Sequence, residues 1–257
     1  MPTVFALASH PDDIEFVMSG TLLLLKQHGW DLHYMNIANG SLGTEEYSRE
    51  DIIRIRTEEA RKAAASAGAV FHEPLVDDYC VFYEKETLAK VASVYRQAAP
   101  DILLLQSPND YMEDHQNAVR LGISAAFCRG MPNMPVNPPV PPVGKDVVLY
   151  HAQPHSNRDM LRQLVRPDFY IDISGVMEQK KAMLALHESQ KNWLDVSQGM
   201  DSYVNSMTES AKETGKLSGR FEFAEGWRRH NHIGFSKTET DPLTEVLRNF
   251  CFVSVPR

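Results

Sequence analysis

Short apolar runs alternate with longer helical repeats through the first half of the chain. Val4–Ser9 predicts a strand, and Ser19–His28 predicts a helix with Leu22, Leu23 and Leu25 on its apolar side. Asp31–Asn36 predicts a second strand. From Arg49 to Ala67 the chain reads as a helix carrying Ile52, Ile53, Ile55 and a run of alanines, stopped by Gly68. Ala69–Leu75 follows as a third strand and Glu84–Ala98 as a helix ended by Pro100. Asp101–Leu105 is then a fourth strand and Asp114–Cys128 the next helix. Strands separated by helices of this length need right-handed crossovers, and hence a parallel sheet covered on both faces. The expected fold class is α/β: a Rossmann-like, mostly parallel sheet with helices on both faces, strand order 3-2-1-4, and a less regular C-terminal portion.

Residues Met131–Gly144 are too rich in proline for a regular element and predict an ordered surface loop joining the two halves, with an active-site wall as a further role. Beyond it, Val147–Tyr150 and Phe169–Ile173 read as strands and Ser174–Lys191 as a long amphipathic helix. The last stretch of the chain is the least regular. The expected organisation is a single α/β domain over 1–257. It comprises a Rossmann-like core (1–130), the proline-rich loop (131–144) and a C-terminal portion (145–257) that completes the sheet and the active-site wall.

Composition narrows the function classes. With 257 residues, 43% hydrophobic and 23% charged, the chain can bury a substantial core. A net charge of -8 excludes a nucleic-acid binder that tracks the backbone with a basic stripe. No apolar run reaches membrane-spanning length, no basic amphipathic helix suggests surface attachment, and Met1-Pro2-Thr3 lacks the basic start of a signal peptide. Cys80, Cys128 and Cys251 are odd in number and far apart, as expected of reduced, buried thiols. The expectation is a soluble cytoplasmic enzyme without membrane insertion or a nucleic-acid partner.

Two polar clusters carry the chemistry. Ser9-His10-Pro11-Asp12-Asp13-Ile14-Glu15 follows the first strand directly, and Asn109-Asp110-Tyr111-Met112-Glu113-Asp114-His115 follows the fourth. In the order 3-2-1-4 those strands are neighbours, and the gap between them is the switch point where α/β sheets bind ligands. Two histidines and a carboxylate with an open fourth position make a catalytic zinc site, and His10, Asp13 and His115 can supply that set. A carboxylate beside the metal that is not a ligand can act as general base, the role that Asp12 fits. Taken singly, each feature has a plainer reading: a solvated turn for His-Pro-Asp-Asp, an N-cap for Asp114, a structural histidine for His115. Convergence on one crevice is what favours the site.

These residues resemble the PIG-L/LmbE-like deacetylase family. Its opening motif A-H-P-D-D-E is similar to Ser9–Glu15, with Ile14 inserted before the acidic residue, and its H-x-D-H motif is similar to Met112–His115. Asn39–Gly43 and Arg56-x-x-Glu59 extend the similarity, which covers roughly residues 1–130. The resemblance implies Zn2+ on His10, Asp13 and His115, Asp12 as base, and Arg56 as a substrate-binding residue. It further implies hydrolysis of an N-acetylated sugar or sugar conjugate, and it is compatible with a homo-oligomer. The family often carries a histidine three residues before the last ligand, to stabilise the oxyanion or protonate the leaving amine; here that position is Met112. His187 and Tyr111 are the candidate substitutes. Asp114 would then orient His115 or another partner, or contact substrate. Asp78 either reaches a sugar hydroxyl or forms a turn, and His151 and His155 belong to a substrate wall or to a plain loop. Glu225-Gly226-Trp227 resembles a segment of some members without suggesting a mechanism.

Three other readings stay open. One is a zinc amidase acting on a non-sugar amide or thiol conjugate, and another is a catalytically silent metal- or sugar-binding homologue. A nucleotide-binding Rossmann protein is the weakest, because two carboxylates replace the glycine-rich turn and would repel a pyrophosphate.

Overall fold

The computed structural model describes residues 1–191 and 203–254. One eight-stranded sheet runs in the order β3-β2-β1-β4-β5-β7-β6-β8. Its strands are β1 (Thr3–Ala8), β2 (Asp31–Asn36), β3 (Ala69–His72), β4 (Ile102–Leu105), β5 (Val148–Ala152), β6 (Phe169–Asp172), β7 (Ala224–Arg229) and β8 (Cys251–Val253). The first five pair in parallel, and the last three add antiparallel strands beyond β5. The expected 3-2-1-4 order is therefore present. β1 registers with β2 from Thr3↔Asp31 to Ala8↔Asn36 and with β4 from Val4↔Ile102 to Leu7↔Leu105. Both strands are buried along their whole length, which explains their unbroken apolar sequences.

Helices cover both faces. One side carries α2 (Ser19–Gln27), α3 (Arg49–Ser66), α6 (Met177–Leu184) and α7 (Tyr203–Ser218), packed around Leu22, Leu25, Ala60, Met183, Met207 and Trp227. The other side carries α4 (Lys85–Ala98) and α5 (Glu113–Cys128), packed around Phe5, Leu7, Val91, Tyr95 and Leu121. Ser48 caps α3 by accepting from the Asp51 N–H.

Several local expectations need correction. The His-Pro-Asp-Asp segment is a turn, as read, but it leads straight into a short helix absent from the expected elements: α1 spans Asp13–Val17, and the negative charge of Asp13 lies in its first turn. The long helix expected over Ser174–Lys191 is broken. A 3-10 turn at Ser174–Val176 leads into α6, and the chain leaves helical geometry at Ala185–His187. The proline-rich loop is no active-site wall. The Arg96 guanidinium donates to the carbonyls of Arg129, Met131, Met134 and Val140, while Met134 and Val136 pack on the core beside α4 and α5. Only Cys128 is a buried thiol; Cys80 is exposed and Cys251 intermediate, and no disulfide occurs among the described residues. No helix among them is long and apolar enough to cross a membrane.

β7 explains the Glu225-Gly226-Trp227 segment. Glu225 is 4% exposed and accepts from the Gly20 N–H, the Thr21 N–H and the Thr21 hydroxyl at 2.8, 2.8 and 2.6 Å. Those are donors of the first turn of α2, which no earlier carbonyl can reach. Lys180 of α6, fully buried, donates to the same carboxylate at 2.5 Å and to the Phe16 carbonyl at 3.0 Å. The Trp227 indole N–H closes the group on Thr21 Oγ1 at 3.0 Å. A strand from the C-terminal portion thus caps a helix of the N-terminal core. Glu225→Ala leaves a buried ammonium without its counter-ion and two amide donors unpaired, so stability should fall by about 3–5 kcal/mol. Urea unfolding of the variant, followed by circular dichroism, measures that loss directly.

Candidate metal centre

The crevice beyond the carboxyl ends of β1 and β4 gathers the chemistry. The Ser9 N–H donates to Gln106 Oε1 at 2.8 Å, tying the end of β1 to the segment after β4. The His10 N–H donates to Asp13 Oδ2 at 2.7 Å and its carbonyl accepts from Asn36 Nδ2 at 2.6 Å, so the turn is held from both sides. α5 brings His115 to the same place from its first turn.

The three expected ligands meet there. His10, Asp13 and His115 each offer one donor atom, and these atoms all lie within 4.8 Å of one another. His10 Nδ1 lies 3.3 Å from His115 Nε2, and Asp13 Oδ1 lies 3.4 Å from the same nitrogen. The opposite ring nitrogens are engaged by carboxylates: His10 Nε2 with Asp114 Oδ2 at 3.0 Å, and His115 Nδ1 with Asp110 Oδ1 at 2.9 Å. Each imidazole can therefore give its proton to a carboxylate behind it and turn a lone pair inward. Two lone pairs and a carboxylate aimed at one point repel each other unless a cation or a proton stands between them, so the residues fit a divalent metal of N/O preference.

Electrostatics agree with that fit. Burial alone would lower the His10 pKa, yet its bonds to Asp114 and Asp13 push it up to about 10. Burial would raise Asp13, but His115 and His10 hold its carboxyl far below the usual range. His115 is raised because Asp13 and Asp110 outweigh its burial.

Asp12 stands beside the ligands in an unusual backbone state. Its φ of 102° lies in the left-handed region, which a non-glycine residue occupies only when its surroundings impose it. Arg56 supplies part of that restraint: its Nη2 donates to the Pro11 carbonyl at 2.6 Å and to Asp12 Oδ2 at 3.4 Å. The Tyr203 hydroxyl, from α7, donates to the same carboxylate oxygen. Burial raises the Asp12 pKa, with Arg56, His187 and Tyr203 opposing.

The remaining expected site residues are placed as follows. Arg56 is 4% exposed and bonded to the Pro11–Asp12 turn, so it positions the turn. Gly40, at φ +80°, lets it lie there, since a Cβ would stand 2.5 Å from Arg56 Cδ. Asp78, expected as a sugar contact or a turn residue, is buried and accepts from the Gly40 and Leu42 N–H groups. Asp114 is likewise buried and serves His10 and the Tyr79 N–H instead of His115. His187 is sealed behind Asp12, wholly buried, with Nε2 3.3 Å from Glu15 Oε2. Tyr111 is half exposed at the mouth, its ring against His115. Asp110 and Tyr203 were not anticipated. Asp110 belongs to the polar cluster after β4 but carries no motif signal of its own, and Tyr203 begins a helix in the least regular part of the chain.

Comparison with known proteins adds to this geometry. A family model, PIG-L, described as GlcNAc-PI de-N-acetylase, matches residues 5–126. A diacetylchitobiose deacetylase of Thermococcus kodakarensis is 30% identical over 232 residues, covering 88% of this chain and 82% of the relative. The chain belongs to the PIG-L family. PIG-L family members are metal-dependent amide hydrolases. The fold agrees: the N,N'-diacetylchitobiose deacetylase of Pyrococcus horikoshii superposes with a TM-score of 0.74 at 21% identity, over 94% of this chain and 88% of that one. A second relative differs in name: a 4-oxalmesaconate hydratase of Pseudomonas putida is 26% identical over 198 residues, 74% of each chain. The PIG-L match ends before His155, His187 and Tyr203, so the far wall of the site is particular to the second half of the chain.

Two predictions follow from the ligand geometry. A metal must displace the proton that His10 holds below pH 10, so affinity should strengthen as pH rises, by up to about tenfold per unit between pH 6 and 8. Competition titration with a chromogenic chelator measures it, and a pH-independent affinity contradicts the ligand assignment. Asp110→Asn should weaken metal binding by roughly 10- to 100-fold while leaving the fold intact, because the His115 ring loses its carboxylate partner.

Proposed function

We propose that the chain is a zinc-dependent hydrolase that removes the acetyl group from an N-acetylated amino sugar or sugar conjugate. The observation that carries this reading is the convergence of His10, Asp13 and His115 beside a carboxylate, Asp12, that is not one of the three. Zinc held there supplies Lewis acidity, polarising an amide carbonyl and making water a better nucleophile near neutral pH.

The chain's own residues do the rest. Asp12 takes a proton from the attacking water and passes one to the amine nitrogen as the carbon–nitrogen bond breaks, so amide and water become acetate and amine. Its raised pKa suits both halves of that exchange, since a carboxyl that is too acidic returns no proton. Among the described residues, Arg56 and Tyr203 donate to Asp12 Oδ2 and so hold the carboxylate in place. Asp110 and Asp114 hold the two imidazoles in their ligating tautomers.

The hydratase relative supports a second reading, addition of water to a polycarboxylate such as the oxalmesaconate of its name. The cavity at the ligands speaks for the neutral amide. It is lined by Asp13, Phe16, Val17, Gln106, Asp110, His115, Gln153 and His155, with no lysine or arginine among the described lining residues. A substrate with several carboxylates would meet Asp13 and Asp110 there, and any carboxylate beyond the one the metal takes would have no lysine or arginine of the described lining to receive it.

Acetate release from a panel of N-acetylated amino sugars, including diacetylchitobiose, tests the reading, with stripped protein assayed before and after zinc addition. Zinc-dependent release is expected, as is no consumption of oxalmesaconate followed by its ultraviolet absorbance. Asp12→Asn should lower kcat by at least about 100-fold with one zinc per chain still bound. Normal turnover in that variant would reject Asp12 as the base.

A further inference from the structure

Beyond β5 the chain makes a turn whose geometry needs explaining. Ser156 and Asn157 have φ values of +61° and +57°, two consecutive non-glycine residues in the left-handed region. Such a conformation persists only where the surroundings over-determine it, and the restraint is visible. The Asn157 side chain is fully buried. Its Nδ2 donates to Glu213 Oε2 at 3.1 Å, and its Oδ1 accepts from Thr214 Oγ1 at 3.1 Å and Gln153 Nε2 at 3.4 Å. Its N–H donates to the Pro154 carbonyl and its own carbonyl accepts from the Val165 N–H, each at 2.9 Å. One asparagine therefore locks the turn to α7, to the end of β5 and to the strand-like segment at Val165.

The turn presents His155. His155 is exposed at the cavity, its ring 5.3 Å between centroids from Phe16 and 6.1 Å from Tyr111, and Tyr111 in turn lies against His115 at 5.7 Å. His155 lines the same solvent-open cavity, about 240 Å³, as Asp13, Asp110 and His115. Neither of its ring nitrogens makes a hydrogen bond among the described residues. An ordinary turn histidine would need neither a locked left-handed backbone nor an aromatic seat at the ligands. Of the two substitutes expected for Met112, His187 is wholly buried with Asp12 and Glu15 beside it, while Tyr111 stands half exposed at the mouth with its ring against His115 and His155.

We propose that His155, presented by this locked turn, is the hydrogen-bond donor to the acyl oxygen of the substrate, doing from beyond β5 what Met112 cannot do from the start of α5. The assignment rests on the deacetylase reading for its substrate and on the turn and cavity for its residue. Tyr111 and Phe16 set the plane of the ring, and Asn157 is a positioning residue. Partial desolvation lowers the imidazole from its ordinary pKa, against the pull of Asp110 and Asp13.

The test compares zinc-loaded wild-type protein with His155→Ala and His155→Gln. In His155→Ala, kcat for acetate release should fall about 100-fold, with KM within about threefold and zinc content unchanged. His155→Gln, which keeps an N–H donor, should recover part of the loss, and free imidazole should partly restore His155→Ala. A separate arm needs no turnover. Acetate is titrated into cobalt-substituted protein and followed by the visible cobalt spectrum; His155→Ala should bind it about tenfold more weakly, with an unchanged spectrum before acetate is added. Unchanged kcat in His155→Ala overturns the proposal, as does a loss that neither glutamine nor imidazole relieves while acetate affinity stays the same. Should the wild type hydrolyse no N-acetyl sugar, the deacetylase reading fails by itself. The acetate titration then decides the role of His155: weaker binding in His155→Ala supports it, and equal or absent binding in both proteins overturns it.

Discussion

Two imidazole nitrogens held 3.3 Å apart, with a carboxylate oxygen beside them, form an arrangement that the fold must enforce against electrostatic repulsion and the cost of burial. Everything around the crevice serves that requirement. Asp110 and Asp114 engage the outer ring nitrogens, so the inner ones can present lone pairs. Both carboxylates come from the segment after β4, while His10 and Asp13 come from the segment after β1. The pairing of β1 with β4, and the Ser9–Gln106 bond at its end, are thus what bring ligand and support together. Had another strand separated β1 from β4, the two clusters would lie about 5 Å farther apart and could not share a metal.

The second half of the chain is tied into this arrangement at two depths. Farther from the ligands, Glu225 and Lys180 fasten α2 to β7 and α6. At the site itself, the Tyr203 hydroxyl reaches Asp12, the residue whose backbone is held in the left-handed region. One sheet runs through both portions without interruption, since β5 pairs with β4 on one side and β7 on the other. The first half supplies the ligands, and the second restrains the proposed base.

What could be read from sequence divides along the same line. The parallel strands were legible because burial on both faces demands unbroken apolar runs such as Ile102–Leu105, and the ligand cluster because polar residues there contradict burial. β7 was illegible for the opposite reason. Glu225, Arg228 and Arg229 make it look like a surface segment, and it takes the ammonium of Lys180, 45 residues away in sequence, with the donors of Gly20 and Thr21, to make a buried glutamate tolerable. The helix expected through Lys191 breaks before His187, in a stretch whose residue pattern carries no glycine or proline to announce it. The roles of Asp78 and Arg56 were likewise hidden, because their partners are backbone groups of loops, and a sequence does not show which amides a folded loop leaves unpaired.

Met112 sharpens this contrast between pattern and placement. Compared with the family motif, the position reads as a lost histidine and suggests a weakened or silent site. In the folded chain the same neighbourhood contains an imidazole on another element, held by a turn whose conformation is unfavourable for the residues that form it. Side chains that do chemistry are selected by where their atoms stand, and an element 43 residues downstream can bring a ring to the same cavity. The substitution at Met112 then need not reduce the proton-bearing groups around the ligands; it moves one of them from the ligand helix to the opposite wall.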